Sequence, residues 1–441
     1  MFPHSQMPST RAPELHSDVS VTAIPMSAPF EQRAGVLHCE GVALPELVAR
    51  WATPLYVYSK GAIVQRYREL DEALGGVDHL IAYSVKANPN LALLRALAEM
   101  GAGADVVSGG ELQRARMAGI PGERIVFSGV GKTMNELALG LREDIYAFNV
   151  ESEGELLALS ELACATGKKA PIAIRINPDI ESPTPHHYTR TGHAATKFGI
   201  AAERARDLYC IAAKTPGIRV RGIDVHIGSQ IMEVKPFVLA LEAVLELAHD
   251  LRQEDIPLEF LDLGGGLGIA YQGEEPVAAK TLADLVVPQV AELGLKLVVE
   301  PGRFIVGEAG VLLTRVIYVK EGGGKRFVIT DAGMNDLIRP SHYDGWHRVE
   351  PVETHDRPRG KVDIVGPICE TGDFLALDRD LEIPRQGELL AIHTVGAYGF
   401  SMSSQYNQRP RPAEVLVDGD TATLVRRRET FDDLVAAEVG L

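Results

Sequence analysis

The sequence has few cysteines, no long apolar run and no excess of positive charge. Its four cysteines, Cys39, Cys164, Cys210 and Cys369, are far apart and form no C-x-x-C pair. This spacing argues against a zinc knuckle and against a disulfide framework, and it fits a reducing cytoplasm, where we expect the protein. No apolar run approaches membrane-spanning length, and the formal net charge of −16 offers no surface for a phosphate backbone. We therefore expect neither a membrane nor nucleic acid as a partner.

The composition that remains is that of a large globular protein. The 441 residues are 46% hydrophobic, which is enough for a sizeable core, and the length predicts two domains. The first thirty residues are rich in Pro and Ser and lack the apolar segment of a signal peptide. We predict that residues 1–30 form a flexible extension.

Eight short strand-like runs organise the middle of the chain. They alternate with segments such as NLALLRALAEM, in which apolar residues recur at helical spacing. Eight βα units are the number that a TIM (β/α)8 barrel needs, in roughly the length that it needs. The runs are LIAYSV (80–85), GADVVS (103–108), RIVFSG (124–129), YAFNV (146–150), PIAIRIN (171–177), GIDVHIG (222–228), EFLDLGG (259–265) and KLVVEPG (296–302).

The pattern changes after about Gly310. Alternating strands joined by Gly-rich or Asp-Gly turns follow, as in VLLTRVIYVKEGGGKRFVIT and AEVLVDGDTATLVRR. The sequence therefore predicts an α/β protein with a TIM barrel at 51–308 and a C-terminal, mostly antiparallel β domain at 309–441. We expect residues 31–50 to pack with the β domain.

Polar residues collect where the predicted barrel strands end. Active sites of TIM barrels lie at the carboxyl ends of the strands, so these residues are candidates for one shared site, although any single one of them could be an ordinary loop start. They are Lys86, Asp105, Ser108, Arg175, Asn177, His226, Ser229, Gly264, Gly265, Gly266, Glu300 and Arg303.

The chemistry of this set points to pyridoxal phosphate. Glycines 264–266 would let backbone N–H groups approach a phosphate, and Ser229 could donate a further hydrogen bond. Lys86, beside an apolar strand, is expected to lose some preference for its charged form and to form a Schiff base with an aldehyde. His226 could stack on a pyridine ring, or it could be a core histidine satisfied by the backbone. Glu300 would hold the ring nitrogen protonated.

Seven motifs, in order along the chain, resemble those of a known family. The similarity is to the alanine-racemase-fold (fold type III) pyridoxal-phosphate decarboxylases, and among these to the diaminopimelate decarboxylases. The motifs are YSVKANPN, HIGSQ, LGGGLG, EPGR, GMNDLIRPSHY, GPICETGD and GAYGFSMSSQYNQRPRPAEVLV. The resemblance runs from about Gly35 to the C-terminus. It implies the last step of lysine biosynthesis, in which meso-2,6-diaminopimelate loses CO2 to give L-lysine, with pyridoxal 5'-phosphate as cofactor and no metal.

The resemblance also implies roles for individual residues. Lys86, His226 and Cys369 would be catalytic, with Cys369 donating a proton across the interface of a homodimer with shared active sites. The segment SPTPHHYTRTGHAATKFG (182–199) resembles the family's mobile loop. Cofactor binding is implied for Lys86, Asp105, Arg175, His226, Ser229, Gly264, Gly265, Gly266, Glu300, Gly302, Arg303 and Tyr398. Substrate binding is implied for Arg303, Arg339, Tyr343, Glu370 and Tyr398.

Other functions on the same fold are weighed against this one. A racemase would, by family resemblance, pair the ring nitrogen with an arginine and use a tyrosine as base, and Glu300 and Cys369 argue against it. A non-catalytic relative should lose Lys86, which this chain retains. A related decarboxylase of ornithine, arginine or carboxynorspermidine stays open. Arg303 and Arg339 argue against an ornithine-type pocket, because they suit a second carboxylate and would be harmful if buried unpaired.

One further motif imitates a nucleotide-binding loop. It is SGVGKT, at 128–133. The loop pattern G-x-x-x-x-G-K-[ST] requires glycine where Val126 stands, so we do not expect nucleotide binding there.

Overall fold

A computed structural model of the chain describes residues 28–180, 186, 191–192 and 196–439. Residues 1–27 of the predicted extension and most of the segment 182–199 lie outside these ranges. The described part opens with a three-stranded antiparallel sheet, one helix and one further strand. These elements are β1 (Phe30–Arg33), β2 (Val36–Cys39), β3 (Val42–Ala43), α1 (Leu44–Trp51) and β4 (Leu55–Ser59).

Eight parallel strands then close into a barrel, which confirms the predicted TIM fold. Pairing between β8 and β9 closes the ring, and a two-residue strand, β10, adds to its edge. The elements are α2 (Lys60–Ala73), β5 (His79–Ser84), α3 (Leu91–Glu99), β6 (Gly103–Val106), α4 (Gly109–Met117), β7 (Ile125–Phe127), α5 (Met134–Arg142), β8 (Ala147–Val150), α6 (Glu153–Thr166), β9 (Ala170–Asn177), β10 (Ile200–Ala201), α7 (Ala202–Ala212), β11 (Ile218–Val225), α8 (Lys235–Gln253), β12 (Phe260–Asp262), α9 (Ala279–Leu293), β13 (Lys296–Val299) and α10 (Arg303–Val306).

Alternation along the strands divides the barrel interior into an apolar and a polar layer. Leu80 and Ala82 of β5 belong to a small apolar cluster inside the barrel, whereas Ile81 and Tyr83 belong to the larger core. Because side chains alternate with a period of two, the next inward position on each strand lies nearer its carboxyl end. That position is polar on every strand or directly after it, and its side chain is buried. This polar layer consists of Ser84, Asp105, Ser128, Asn149, Arg175, Asp224, Asp262 and Glu300.

The rest of the chain forms a second, mostly antiparallel sheet, as predicted. Its order is β18-β17-β15-β14-β4-β20-β21, with β19 pairing to β14 and β16. Strand β4, although it precedes the barrel in sequence, lies between β14 and β20 in this sheet. The elements are β14 (Gly310–Gly322), β15 (Lys325–Thr330), α11 (Arg339–Tyr343), β16 (Val349–Pro351), β17 (Arg359–Val365), β18 (Phe374–Glu382), β19 (Leu389–His393), β20 (Ala413–Asp418), β21 (Thr421–Arg426) and α12 (Phe431–Val435).

The N-terminal segment shares a core with this second sheet. Leu37 and Leu47 belong to one apolar cluster with Val57, Val311 and Val415. Within the described ranges, no helix combines the length and the apolar character that a membrane crossing requires.

Candidate active site

A cavity of about 360 Å³ lies where the carboxyl ends of the barrel strands face the β domain. Its volume is in the range of pockets that hold a small ligand or cofactor. Ten of the residues predicted from the sequence line it, seven from the barrel and three from the β domain. They are Lys86, His226, Ser229, Gly266, Glu300, Gly302, Arg303, Arg339, Tyr343 and Tyr398.

Lys86 lies two residues beyond β5 and pairs with a buried carboxylate. Its Nζ donates to Asp105 Oδ2 at 2.7 Å, and Ser84 Oγ donates to the same oxygen at 2.7 Å. The expectation of an easily deprotonated lysine is wrong. Burial lowers the pKa of Lys86, but the charges of Asp105, Glu300 and Tyr398 outweigh burial and raise the pKa above its usual value. The favoured form of Lys86 is therefore an ammonium.

The glycine triplet after β12 passes very close to neighbouring backbone and to a histidine ring. A Cβ at Gly264 would lie 2.6 Å from His226 Nδ1, and one at Gly265 would lie 2.2 Å from the carbonyl oxygen of Glu300. Gly264 and Gly266 also have φ values of +63° and +106°, which residues with a side chain rarely adopt. Larger residues would thus disrupt this turn. The N–H groups of Gly264 and Gly265 donate to Asp262 and His226, and Gly266 is the member of the triplet that lines the cavity.

His226 is held as a neutral ring. The N–H of Gly265 donates to its Nδ1 at 3.1 Å, so that nitrogen carries a lone pair. Burial, together with the positive charges of Arg175 and Lys86, lowers the pKa of His226 well below its usual value. A neutral, flat ring facing the cavity is suited to stacking on an aromatic ligand.

Glu300 lies directly after β13 and is almost fully buried. Its Oε1 accepts hydrogen bonds from Ser128 Oγ at 3.2 Å and from Asn149 Nδ2 at 3.3 Å. Its Oε2 lies 3.8 Å from His226 Nδ1. Burial, reinforced by the three aspartates of the polar layer, raises the pKa of Glu300 well above its usual value. A positive charge on a bound ligand would favour the ionised carboxylate.

Two buried arginines enclose a tyrosine on the other side of the cavity. Arg303 Nη1 donates to Tyr271 Oη at 2.6 Å, and the Arg339 guanidinium lies 4.7 Å from the centre of the Tyr271 ring. Burial raises the Tyr271 pKa, but the two guanidinium charges outweigh it and lower the pKa below its usual value. Arg303 also donates to Ser229 Oγ at 3.2 Å and stacks over the Tyr398 ring at 4.9 Å. Anionic groups of a ligand would find both guanidiniums here.

Arg339 is oriented by a second buried residue, His347. The Arg339 Nη1 and His347 Nε2 are 2.9 Å apart, and His347 Nδ1 lies 2.8 Å from the carbonyl oxygen of His393. Burial and the charge of Arg339 lower the His347 pKa well below its usual value. The neutral ring therefore donates from Nδ1 to the carbonyl and accepts the guanidinium proton at Nε2.

Three residues predicted at the barrel rim have local partners instead of facing the cavity. Arg175 donates to Glu151 Oε1 at 3.1 Å and to the carbonyl oxygen of His226 at 3.4 Å. Ser108 caps α4, and Asn177 donates to a backbone carbonyl at 3.0 Å. These side chains stabilise the loops and the backbone behind the site.

Cys369 and Glu370 lie on an exposed turn between β17 and β18. The Cys369 N–H donates to Asn407 Oδ1 at 2.9 Å, and a hydrogen bond to Glu370 raises the pKa of the exposed Tyr406 hydroxyl. As far as the structure describes it, the lining of the cavity includes neither Cys369 nor Glu370.

Tyr271, Glu274 and Trp346 line the cavity but were not predicted from the sequence. Glu274 accepts N–H bonds from Tyr271 at 2.8 Å and from Gln272 at 2.6 Å, which closes the loop after β12. A signal for Tyr271 and Glu274 was present, because both follow the glycine triplet in GGGLGIAYQGEE and the barrel rule applies to the loops as well as to the strand ends; Trp346 lies in the β domain, where that rule gives no signal.

The imitation of a nucleotide-binding loop has a structural explanation. Lys132 Nζ donates to Glu155 Oε1 at 2.7 Å and to the carbonyl oxygens of Gly129 and Asn149 at 2.8 and 2.7 Å. Thr133 caps α5. The ammonium therefore has acceptors within the fold for all its donors and anchors the start of the helix.

These residues fit pyridoxal phosphate. Lys86 offers the amine that bonds to its aldehyde, and Glu300 offers a carboxylate to its ring nitrogen. Gly266 brings backbone to the cavity wall without a side chain, and among the described residues the buried Arg303 Nε has no hydrogen-bond partner and is a donor for a ligand.

Comparison with known proteins gives the same class. The family described as "Pyridoxal-dependent decarboxylase, pyridoxal binding domain" matches residues 60–307. The diaminopimelate decarboxylase of Aquifex aeolicus is 50% identical over 413 residues, covering 93% of this chain and 98% of that protein. The corresponding protein of Pseudomonas fluorescens is 49% identical over 410 residues, with coverage of 93% and 98%.

Solved structures are similar over nearly the same extent. A diaminopimelate decarboxylase from Helicobacter pylori, complexed with L-lysine, is 40% identical with a TM-score of 0.87, covering 90% of this chain and 99% of that one. One from M. jannaschii, in co-complex with L-lysine, is 38% identical with a TM-score of 0.89, covering 93% and 98%.

A barrel and β domain around a lysine at the end of the first barrel strand define a fold type III, pyridoxal-phosphate-dependent decarboxylase. Several such enzymes differ in their substrates, and the overall fold alone does not separate them. The sequence identity of 50% over nearly the whole chain separates this family from the others. The chain belongs to the diaminopimelate decarboxylase family.

Proposed function

We propose that this chain converts meso-2,6-diaminopimelate to L-lysine and CO2, with pyridoxal phosphate as its cofactor. The observation that carries the proposal is one cavity that combines the Lys86–Asp105 pair with two buried arginines, in a chain of this family. A substrate with an amino-acid group at each end needs a site for a second carboxylate, and a guanidinium binds a carboxylate with two parallel hydrogen bonds.

Residues of this chain would hold the cofactor at its aldehyde carbon and at its phosphate. Lys86 Nζ would hold the aldehyde carbon. The glycine turn at Gly266, Ser229 and Tyr398 would hold the phosphate. Asp105 accepts the proton that the Lys86 ammonium must lose before its nitrogen can bond to carbon, because its Oδ2 is already 2.7 Å from Nζ.

Pyridoxal phosphate, when bound, supplies an electron-withdrawing ring that stabilises the electron pair left on Cα when CO2 departs. Glu300 would keep the ring nitrogen protonated by offering a carboxylate in a site from which water is largely excluded. His226 would pack on the face of the ring. Ser128 and Asn149 orient the Glu300 carboxylate from below.

The substrate is bound by the residues that surround Tyr271. Arg303 and Arg339 bind carboxylates, and Tyr343 lies beside them in the lining. Glu370 of another chain accepts a hydrogen bond from the distal ammonium of the substrate. Tyr271 and His347 keep the two guanidiniums in place when no carboxylate is bound. The Tyr271 hydroxyl accepts from Arg303 and its ring lies against Arg339, and His347 Nε2 accepts from Arg339.

We further propose a homodimer in which each active site is completed by the partner subunit. The support is that the family resemblance implies Cys369 and Glu370 in the active site, whereas within one chain both are exposed on a turn and neither is among the described residues that line the cavity. A thiol on the partner subunit would deliver its proton from one defined face.

The decisive assay measures CO2 release and L-lysine formation from meso-diaminopimelate with pyridoxal phosphate present. Activity that needs the cofactor and disappears in Lys86→Ala is the expected result. Turnover of ornithine, arginine or carboxynorspermidine in preference to meso-diaminopimelate would contradict the proposed substrate and leave the cofactor assignment standing.

A further inference from the structure

Three carboxylates of the polar layer meet beneath the site. Asp224, Asp262 and Glu300 each place an oxygen within 4.8 Å of the other two, and their residues are 1%, 0% and 3% exposed. We call them the carboxylate trio. Negative charges this close, in a site that excludes water, repel each other strongly, so the trio does not carry three charges at once.

The surrounding charges relieve only part of this repulsion. The titratable and charged groups that face the trio from neighbouring strands are Lys86, Asp105, Glu151, Arg175 and His226. Arg175 is paired with Glu151, and Lys86 is paired with Asp105. His226 is neutral, so the trio must hold at least one proton of its own.

Hydrogen-bond donors are distributed unequally within the trio. Asp262 accepts the N–H of Gly264 at 2.9 Å and faces Asn149 Nδ2 at 3.5 Å, and Glu300 accepts from both Ser128 and Asn149. No described residue donates to the Asp224 carboxyl, and its buried Oδ1 has no hydrogen-bond partner. A carboxylate without donors gains the least from being ionised.

We propose that Asp224 is the protonated member of the trio, a neutral carboxylic acid beside the carboxylates of Asp262 and Glu300. Asp224 is then a positioning residue, because its proton leaves the negative charge to Glu300, where the cofactor ring nitrogen needs it. The inference rests on the proposed role of Glu300. Burial and the neighbouring carboxylates raise the pKa of both Asp224 and Glu300 well above the usual values and raise that of Asp262 to about 7. The hydrogen-bond donors then decide between Asp224 and Glu300, because Glu300 accepts from Ser128 and Asn149 whereas no described residue donates to Asp224.

A bound cation is the competing explanation for three converging carboxylates. A divalent ion here would take the place of the proton, but it would also draw the Glu300 carboxylate away from a ligand ring nitrogen. Metal analysis of the purified protein distinguishes the two. A stoichiometric divalent cation that Asp224→Asn removes would overturn the proposal.

The direct test is isotope-edited infrared spectroscopy of the cofactor-free protein with 13C-labelled aspartate. A protonated aspartic acid gives a carbonyl band that an ionised carboxylate lacks. The band should persist at pH values well above the pKa of about 7 of Asp262, and this part of the test uses the native protein alone. It should disappear in Asp224→Asn and remain in Asp284→Asn, which changes an exposed aspartate on α9.

Two outcomes would count against Asp224. One is the absence of a protonated aspartate band above pH 7. The other is a band that Asp224→Asn retains, which would put the proton on another aspartate. Neither outcome depends on turnover. A negative result would therefore reject the protonation of Asp224 without bearing on the proposed substrate.

A matched pair of variants extends the test to the loaded enzyme. Asparagine mimics a neutral acid, so Asp224→Asn should leave the pH dependence of the cofactor's visible absorption unchanged. Asp262→Asn keeps an oxygen for the Gly264 N–H but loses the charge beside Glu300, and it should shift that dependence. Equal shifts in both variants would overturn the assignment. Glu300→Gln checks the underlying premise, because an unshifted spectrum there would refute the role of Glu300 itself.

Discussion

Lys86 Nζ and Asp105 Oδ2 lie 2.7 Å apart, one beyond β5 and the other on the adjacent strand β6. The two residues are 19 positions apart in sequence, and parallel pairing of the strands brings them together at one rim of the barrel. The carboxylate stabilises the ammonium form of the lysine and holds it in position. It also provides the acceptor for the proton that the amine must lose during cofactor attachment.

The Lys86→Ala variant should lose covalent attachment of the cofactor. We expect purified native protein with pyridoxal phosphate to show a visible absorption band that borohydride reduces to a stable protein adduct, and we expect the variant to show no such adduct. Lys280→Ala, at an exposed lysine on α9, serves as the control and should behave as the native protein. Mass spectrometry of the reduced protein identifies the labelled lysine. An unchanged adduct in Lys86→Ala would reject this assignment.

The Tyr271→Phe variant should weaken substrate binding. It removes the hydroxyl that accepts from Arg303 but keeps the ring under Arg339, and a hydrogen bond to a charged group contributes about 1.5–3 kcal/mol, so KM should rise roughly tenfold or more. Tyr318→Phe, at an exposed tyrosine, is the control. Ultraviolet titration of native protein against Tyr271→Phe should reveal one tyrosine that ionises below its usual value, because the two guanidiniums lower its pKa. Identical titration curves would contradict this.

Ornithine and lysine should be very poor substrates. Each lacks the distal carboxylate and would leave a buried guanidinium, Arg303 or Arg339, without its partner. Sites built for such a contact reject the incomplete analogue by roughly four orders of magnitude in kcat/KM. Competition assays against meso-diaminopimelate measure the ratio, and comparable turnover of ornithine would favour an ornithine-type enzyme.

Two inactive variants should restore each other's activity if the sites are shared between subunits. Lys86→Ala and Cys369→Ala homodimers should each be nearly inactive. In a mixed dimer, one active site contains both substitutions and the other contains neither. After random subunit exchange about half the dimers are mixed, so activity should recover to about a quarter of the native value.

Exchange in this experiment is checked by pull-down of a tag on one variant. Activity that stays at the level of the separate variants despite proven exchange would mean that each site forms within one chain or that Cys369 is not the donor. Cys164→Ala, at an exposed cysteine elsewhere, is the matched control and should remain active on its own.

The stability of the cofactor-free protein should depend on pH through Asp336. Burial raises the Asp336 pKa from 3.8 to about 7, although the N–H of Gly333 partly opposes this. Between these values the folded state keeps a proton that the unfolded state releases. The contribution of Asp336 to the free energy of unfolding therefore falls as pH rises, by up to about 1.4 kcal/mol per pH unit.

Asp336→Asn removes this dependence. Relative to the native protein, the variant should become more stable as pH rises from about 4 to about 7, and the difference should then level off. Urea unfolding at a series of pH values measures it, with Asp284→Asn as the exposed control. A difference that does not change with pH would show that Asp336 is ionised in the folded state.

Patterns within short stretches of sequence were sufficient for the barrel and for much of its rim. All eight predicted runs are barrel strands, because a buried parallel strand requires a continuous apolar run and the helices between them require helical spacing. The polar residue that follows each run marks the carboxyl end of the strand. Lys86, His226, Glu300 and Arg303 could thus be expected in one cavity before any contact was known.

Contacts between distant segments decided the rest. Strand β4 lies within the range predicted for the barrel, yet it pairs with β14 and β20, because hydrogen-bonded edges are selected by the packed sheet and not by the local pattern. Arg175 was expected at the cofactor but pairs with Glu151. The sequence could not identify this partner, because Glu151 follows β8 and reaches Arg175 on β9 only when the two strands pair.

The charge states of the site depend most strongly on the tertiary structure. Sequence alone indicated that Lys86 and Glu300 would serve a cofactor, since these residue types occur at the ends of predicted strands. It did not predict that Asp105 would make the lysine an ammonium, nor that Asp224 and Asp262 would meet Glu300. Electrostatic energy depends on the distance between groups and on the exclusion of water, and the folded barrel determines both.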